Sequence, residues 1–269
     1  MGKWMALVVS IAVCMLIGNG CIEMEEELSL NKDGSGTVKF HMACSEEMAQ
    51  MMQAAQGPEA DISSQLPKSK EELAKGWGNK EGIEITEFTN ETKEGKIHLN
   101  YSVKFKDINV LREIDQFNSI EFSRGVCKSC EDEGGEHGGN VIYERDSGAS
   151  SFLPPEQDTS GMTAEEKAMA EQMQQQMMQM CRGLKLKYTV TFPNHLEDST
   201  GADKVDGNTV MWEYTFDKLM QMRKENKSFV MKAVFCGEGV TFVKKLGEEE
   251  PTKEPKGDPI EEPQKEKKE

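Results

Sequence analysis

Residues 97–106 alternate without a break. Ile97, Leu99, Tyr101, Val103 and Phe105 take every second position, and His98, Asn100, Ser102, Lys104 and Lys106 take the others. Successive side chains of a β-strand point to opposite faces, so only a half-buried strand asks for both sets at once. The period recurs. Leu184, Leu186, Tyr188, Val190 and Phe192 alternate with Lys185, Lys187, Thr189 and Thr191, and Val210, Trp212, Tyr214 and Phe216 form a similar run. Leu28 and Leu30 face Val38, Phe40, Met42 and Cys44 across Asn31-Lys-Asp-Gly-Ser-Gly36, whose residues tolerate positive φ. That predicts a β-hairpin. Asn31, Asp33, Ser35 and Gly36 also have the spacing of half a calcium loop. The twelfth position is Met42 rather than a bidentate Glu, which favours the turn. Further strands are expected over residues 83–89, 117–122 and 229–235.

Between these strands lie helix signals. Ser45 can cap a helix to about Gln56 with Met48, Met51, Met52 and Ala55 on one face. Capping boxes at Ser69-x-x-Glu72 and Thr163-x-x-Glu166 open two more, ending near Gly76 or Gly78 and at Gly183. Asp107 caps a short helix bearing Ile108, Leu111 and Ile114, and another runs from Asp217 to about Lys224. Strand, Asp-capped helix, strand thus describes both 97–122 and 209–235, a weak internal echo. The elements predict one α+β domain over residues 28–246, a curved antiparallel sheet with helices packed on one face. Residues 124–161 are irregular, with glycines, Pro154-Pro155 and one short strand at 141–143, and read as a loop insertion. In residues 247–269, Pro251, Pro255, Pro259 and Pro263 recur among Glu and Lys with no apolar face. This acidic tail is expected to be disordered, serving as a spacer, a docking strap or a solubilising tail.

The N-terminus speaks to location. Lys3 precedes an uncharged apolar run over residues 5–17, then Gly18, Asn19, Gly20 and Cys21. The run is too short for a transmembrane span, which needs roughly 20 apolar residues, and suits a signal-peptide core. Small residues before a cysteine resemble the lipobox of bacterial lipoproteins. There the thiol receives a diacylglycerol, the chain is cut before the cysteine and the new amine is acylated. Gly20 fits; Gly18 stands where Leu, Val or Ile is usual. Residues 1–20 then form a lipoprotein signal peptide, Cys21 is the lipid-attachment residue, and the acidic residues 21–27 form a tether. Ordinary cleavage, giving a secreted soluble protein, and an uncleaved anchor are the competing readings.

Charge narrows the partners. The net charge is −16, and loss of residues 1–20 removes Lys3 and no acid. No basic stripe survives this balance, which argues against a nucleic-acid partner and against direct adhesion to anionic lipid.

Five cysteines lie beyond Cys21, and outside the cytoplasm disulfides are the default. Cys127-Lys-Ser-Cys130 is the natural candidate. A thiol oxidoreductase site would need a stabilised thiolate, but Glu131, Asp132 and Glu133 follow at once and raise the thiol pKa. A zinc site using Cys127, Cys130 and His137 lacks a fourth ligand at a telling spacing. Eighteen methionines include Met169, Met173, Met177 and Met180 on one helix face and Met220-x-Met222. Soft Cu(I) would accept that spacing, making a copper-binding envelope protein one alternative; core packing or pocket lining is the other. No nucleophile elbow, phosphate loop or metalloprotease motif occurs, and His41, His98 and His195 have no evident nucleophile beside them. The chain reads as a non-enzyme with no cofactor and no resident metal.

Several features in order resemble the LppM-like bacterial lipoproteins. These are the candidate lipidated cysteine, then Leu28-Ser-Leu-Asn-Lys-Asp-Gly-Ser-Gly36, then a helical stretch before Gly82-Ile83-Glu84-Ile85. Tyr188-Thr-Val-Thr-Phe-Pro193 and Asn208-Thr-Val-Met-Trp212-Glu-Tyr follow, and the similarity covers much of residues 21–235. The resemblance implies an envelope-tethered α+β domain with a lipid-binding fold rather than catalysis. The chain departs from it in lacking the C-terminal transmembrane helix many relatives carry, and in adding the Cys127 loop and the Met-rich helix.

The expectation is a membrane-anchored, extracytoplasmic lipoprotein of the bacterial envelope. Its sheet face carries Tyr101, Phe105, Tyr188, Phe192, Trp212 and Tyr214. If the helix carrying Met173 and Met177 closes loosely over them, a lipid or hydrophobic ligand has a pocket. If the packing is tight, the domain is an adaptor for a protein partner.

Overall fold

Alternation in the strand sequences becomes rows of side chains in the structure, a computed structural model that describes residues 22–46, 66–125, 139–149, 153, 161 and 163–243. In chain order the elements are β1 (Ile22–Leu30), β2 (Gly36–Ser45), α1 (Lys70–Gly76), β3 (Ile83–Lys93), β4 (Lys96–Phe105), α2 (Ile108–Leu111), a 3-10 turn (Asp115–Phe117), β5 (Ile120–Gly125) and β6 (Asn140–Asp146). Then come α3 (Ala164–Cys181), β7 (Lys185–Thr191), β8 (Leu196–Thr200), β9 (Lys204–Asp206), β10 (Thr209–Thr215), α4 (Phe216–Lys224) and β11 (Val230–Cys236). The fold is α+β, and no described helix is long and apolar enough to cross a membrane.

The strands divide between two sheets. One has seven strands in the order β3-β4-β2-β1-β7-β10-β9, and the other four in the order β5-β6-β11-β8. All pairs are antiparallel except β1 with β7. Registered partners share a face, so the pairing lines up Ile85, Val103, Val38, Leu28, Val190 and Val210 in one row of the larger sheet. The adjacent row runs Phe88, Tyr101, Phe40, Glu26, Tyr188, Trp212. A carboxylate stands in the middle of an aromatic row.

This apolar face is covered in two parts. Over β3 and β4, α1 supplies Leu73, and Trp77 at its C-terminal end packs edge-on against Tyr101 and Phe117. Over β7 and β10 the smaller sheet closes the core. Tyr143 of β6 lies against Trp212 and Phe192, and Phe235 of β11 stacks on Phe192 with centroids 4.7 Å apart. Both strand–helix–strand passages of the sequence echo cross from the larger sheet to the smaller, β4–α2–β5 and β10–α4–β11. The α4 cap is Thr215, whose hydroxyl accepts from the Lys218 amide, rather than Asp217.

Local chemistry explains the hairpin. Asp33 Oδ1 accepts from both the amide and the hydroxyl of Ser35, closing a tight turn on itself. Gly36 must be glycine, because a Cβ there would sit 2.1 Å from the Ser29 carbonyl oxygen and 2.6 Å from the Phe105 ring.

Three sequence boundaries are corrected. Most of the stretch expected as a tether is the first two-thirds of β1, so the sheet already includes Ile22 and does not start at Leu28. The expected insertion contains β6, which sits inside the smaller sheet between β5 and β11, with Val141, Tyr143 and Arg145 in the core. The strand expected at residues 117–122 starts at Ile120, after Phe117 closes the 3-10 turn. The helix expected after Ser45 and the C-terminal tail lie outside the described residues.

One ion pair joins the sheets. The Arg145 guanidinium, on β6, grips the Glu26 carboxylate, on β1, through both Nη atoms, with side-chain exposures of 5% and 3%. Arg145 Nη2 also donates to the Gln116 carbonyl at 3.3 Å, and the guanidinium lies over the Tyr188 and Phe117 rings. Burial by itself disfavours the Arg145 charge, but Glu26 and the neighbouring phenols outweigh it and hold the group above the ordinary arginine value. Removing one partner from such a pair strands a buried charge, at about 3–5 kcal/mol, whereas replacing both by apolar groups is often neutral. Glu26→Ala and Arg145→Ala should each therefore lose about that much stability in chemical denaturation. The double variant Glu26→Leu with Arg145→Met should recover most of it. Single variants as stable as the parent would mean the pair does not clamp the sheets.

Candidate functional site

The opposite face of the larger sheet is polar and lacks a covering layer among the described residues. The registers that place the aromatic row also place Thr89, Asn100, His41, Glu25, Lys187 and Glu213 in a row on this side. The next row runs Glu87, Ser102, Lys39, Glu27, Thr189. Over β3, β4, β2 and β1 the two rows floor a cavity of about 630 Å³.

Its side chains are tied laterally. Asn100 Nδ2 donates to the Thr89 hydroxyl at 3.0 Å, and Asn100 Oδ1 meets His41 Nδ1 at 2.5 Å. An amide oxygen only accepts, so His41 Nδ1 is the donor in this contact. Ser102 Oγ donates to Glu87 at 2.8 Å, and Lys187 reaches Glu25 at 3.5 Å. The His41 and His98 rings stack with centroids 6.0 Å apart. The result is an array of donors and acceptors across five strands, suited to recognising a polar surface. No group of three or more His, Cys, Asp or Glu able to hold a metal occurs among the described residues.

A second cavity, of about 390 Å³, opens beside the buried ion pair, with Met24, Gln116, Asn118, Ser119, Asp146 and Tyr188 among its walls. Tyr188 Oη donates to the Ser147 carbonyl at 2.7 Å, and Tyr101 Oη to Gln116 Oε1 at 2.7 Å, so the one phenol lining this cavity and the one bonded to its Gln116 wall are committed to the frame.

The aromatic residues named from sequence share one face, as alternation requires, and that face is the core. Tyr101, Phe105, Tyr188, Phe192, Trp212 and Tyr214 are each 0–3% exposed. Tyr101 stacks on Phe40, Tyr188 meets Tyr214 edge-on, and Trp212 donates its indole hydrogen to the Thr200 carbonyl at 2.9 Å. Tyr101 borders the larger cavity and Tyr188 the smaller. The space left above Phe192 and Trp212 for a ligand is taken by Tyr143 and Phe235 of the smaller sheet.

Met173 and Met177 fall within α3, but their side chains lie outside the described residues, as do Cys21, Cys127 and Cys130. Met169 of the same helix is 71% exposed, while Met178 and Cys181 pack against the core. Cys44 and Cys236 are buried and Cys181 half-buried, and no disulfide joins any two of them.

Sequence reasoning missed Glu26 and Arg145, since neither has a neighbour in sequence that announces its partner. It did place His98, Asn100 and Ser102 on the polar side of β4. What it lacked was the registration that sets Asn100 beside His41 and Thr89.

No protein-family model matches the chain, and no curated protein matches it. Among solved structures it is similar to the folded domain of the LppM protein of Mycobacterium tuberculosis, determined by NMR. The identity is 14% and the TM-score 0.36, over 81% of this chain and 91% of that one. A likeness that distant transfers no residue role.

Burial of the phenols gives a pH signature. All four tyrosines are raised above the ordinary phenol value, chiefly by burial; Tyr143 and Tyr214 are each pushed up to about 12, and Tyr101 and Tyr188 lie higher. The folded state therefore keeps protons that the unfolded chain releases near pH 10, so this contribution is complete below that pH and declines as pH rises above it. Spectrophotometric titration should show no native phenolate near pH 10 and ionisation in step with alkaline unfolding. A phenol titrating near 10 while the fold persists would place that ring in solvent.

Proposed function

We propose that the chain is a lipid-anchored, non-catalytic module of the bacterial envelope that offers the open polar face of its larger sheet to a partner. The observation that carries this reading is the contrast between the two faces. One is filled by aromatic side chains packed against helices and a second sheet. The other floors a 630 Å³ cavity with His41, Asn100, Thr89, Ser102 and Glu87 held in a hydrogen-bonded array. A lipid pocket would need vacant apolar space, and the aromatic residues suited to line one are spent on the core. The anchor itself rests on the apolar run, the small residues and Cys21.

Two measurements test the two halves. Labelled palmitate should enter the parent protein in a bacterial host and fail to enter Cys21→Ser; labelling of both, or of neither, removes the anchor. Native mass spectrometry of secreted Cys21→Ser should give one mass, that of the chain alone. A co-purifying lipid would overturn the solid-core half and restore a hydrophobic ligand.

A further inference from the structure

If Cys21 is lipidated, the usual flexible spacer between anchor and domain is absent. Ile22 is already the first residue of β1. β1 is also the middle strand of seven, paired on both sides: Glu23 registers with Ala43 of β2 and with Lys185 of β7, and Met24 with Met42 and Leu186. Consecutive Cα atoms are about 3.8 Å apart, so a residue bonded to Ile22 cannot leave the sheet's end by more than one such step. Gaining slack would mean unpairing a central strand from two neighbours at once.

We propose that the domain stands end-on on the bilayer, with the end of the larger sheet that carries Ile22 set against the headgroups. The inference rests on the anchored reading above. The described residues give part of the surface of that end. The last inward row of the sheet is Thr92, Ile97, Cys44 and Ile22, where Ile22 and Ile97 are half-buried. Half-buried Leu66 faces Ile97 across a cavity of about 260 Å³. The β3–β4 turn projects Glu94 and Gly95 from the same end, both at positive φ and exposed. Lys96 and Lys185 stand beside it but are spent on Glu23 and Glu213, at 3.3 and 3.4 Å. Contact there comes from the covalent lipid and the apolar fringe, and a basic patch is not needed. The β1–β2 turn, with Asp33 exposed, is at the far end, roughly 27 Å away along eight strand steps.

The orientation fixes where a partner is met. Glu25 and Glu27 floor the larger cavity three and five residues beyond Ile22. At strand rise that is roughly 10–17 Å from the headgroups. The open face stands on edge to the membrane, so its partner is reached sideways, close to the bilayer: another membrane-bound protein rather than one at a distance.

The test uses the full lipidated chain in phosphatidylcholine vesicles, with a fluorescent amino acid encoded at Glu94 in one sample and at Asp33 in another, and a nitroxide quencher on the lipid headgroup. Quenching at Glu94 should exceed that at Asp33 several-fold. A flexible Gly/Ser segment inserted between Cys21 and Ile22 should abolish the difference while palmitate incorporation persists. Equal quenching of the two positions in the palmitoylated parent overturns the end-on orientation and leaves the anchor standing. Absence of palmitate overturns both.

Discussion

A buried charge pair constrains how the two sheets meet. Glu26 and Arg145 come from strands far apart in sequence and in different sheets, and neither tolerates the interior alone. Only when β6 lies across β1 does each find its counter-charge, so the pair sets the relative position of the sheets while the aromatic contacts of Tyr143, Phe192, Phe235 and Trp212 supply the cohesion. Around it the frame is polar, with most groups paired, although Arg145 Nε and the Tyr143 hydroxyl are buried without a hydrogen-bond partner among the described residues. Gln116 accepts from Tyr101 and from Arg145, and Tyr188 reaches the chain just after β6. A hydrophobic interior could slide; this one has a fixed point.

The same pair explains what could be read from sequence and what could not. Strands β4, β7 and β10 announced themselves because every inward position is apolar, and the capping boxes at Ser69 and Thr163 fixed helix starts to the residue. In β1 an inward Glu26 sits among Glu23, Glu25 and Glu27, and the stretch looked like an acidic spacer. In β6 an inward Arg145 broke the alternation after Val141 and Tyr143, and the strand looked like part of a loop. Each strand was hidden by the residue whose partner lies on the other. The short strands β8 and β9 were illegible for another reason: β9 is exposed along its whole length and has no inward set to read. The division into two sheets follows from pairing, to which local periodicity is blind.

The candidate site was half legible. Alternation in β4 separates Tyr101, Val103 and Phe105 from Asn100 and Ser102, but does not say which set meets a ligand. Aromatic residues invited a pocket reading, and in a single-layered sheet they would have lined one. Helix α1 and the second sheet over that face turn them into core, while the polar set is a surface with no covering layer among the described residues. The parallel β1–β7 pair extends that surface from His41 and Asn100 to Lys187 and Glu213.

Hydrogen exchange followed by mass spectrometry measures most directly whether the two sheets are one body held at Glu26 and Arg145. The slowest amides of β1 and β6 should then open together, at the free energy of global unfolding. Exchange of β5, β6, β11 and β8 at a clearly lower free energy, with β1 still protected, would contradict a clamp between the sheets.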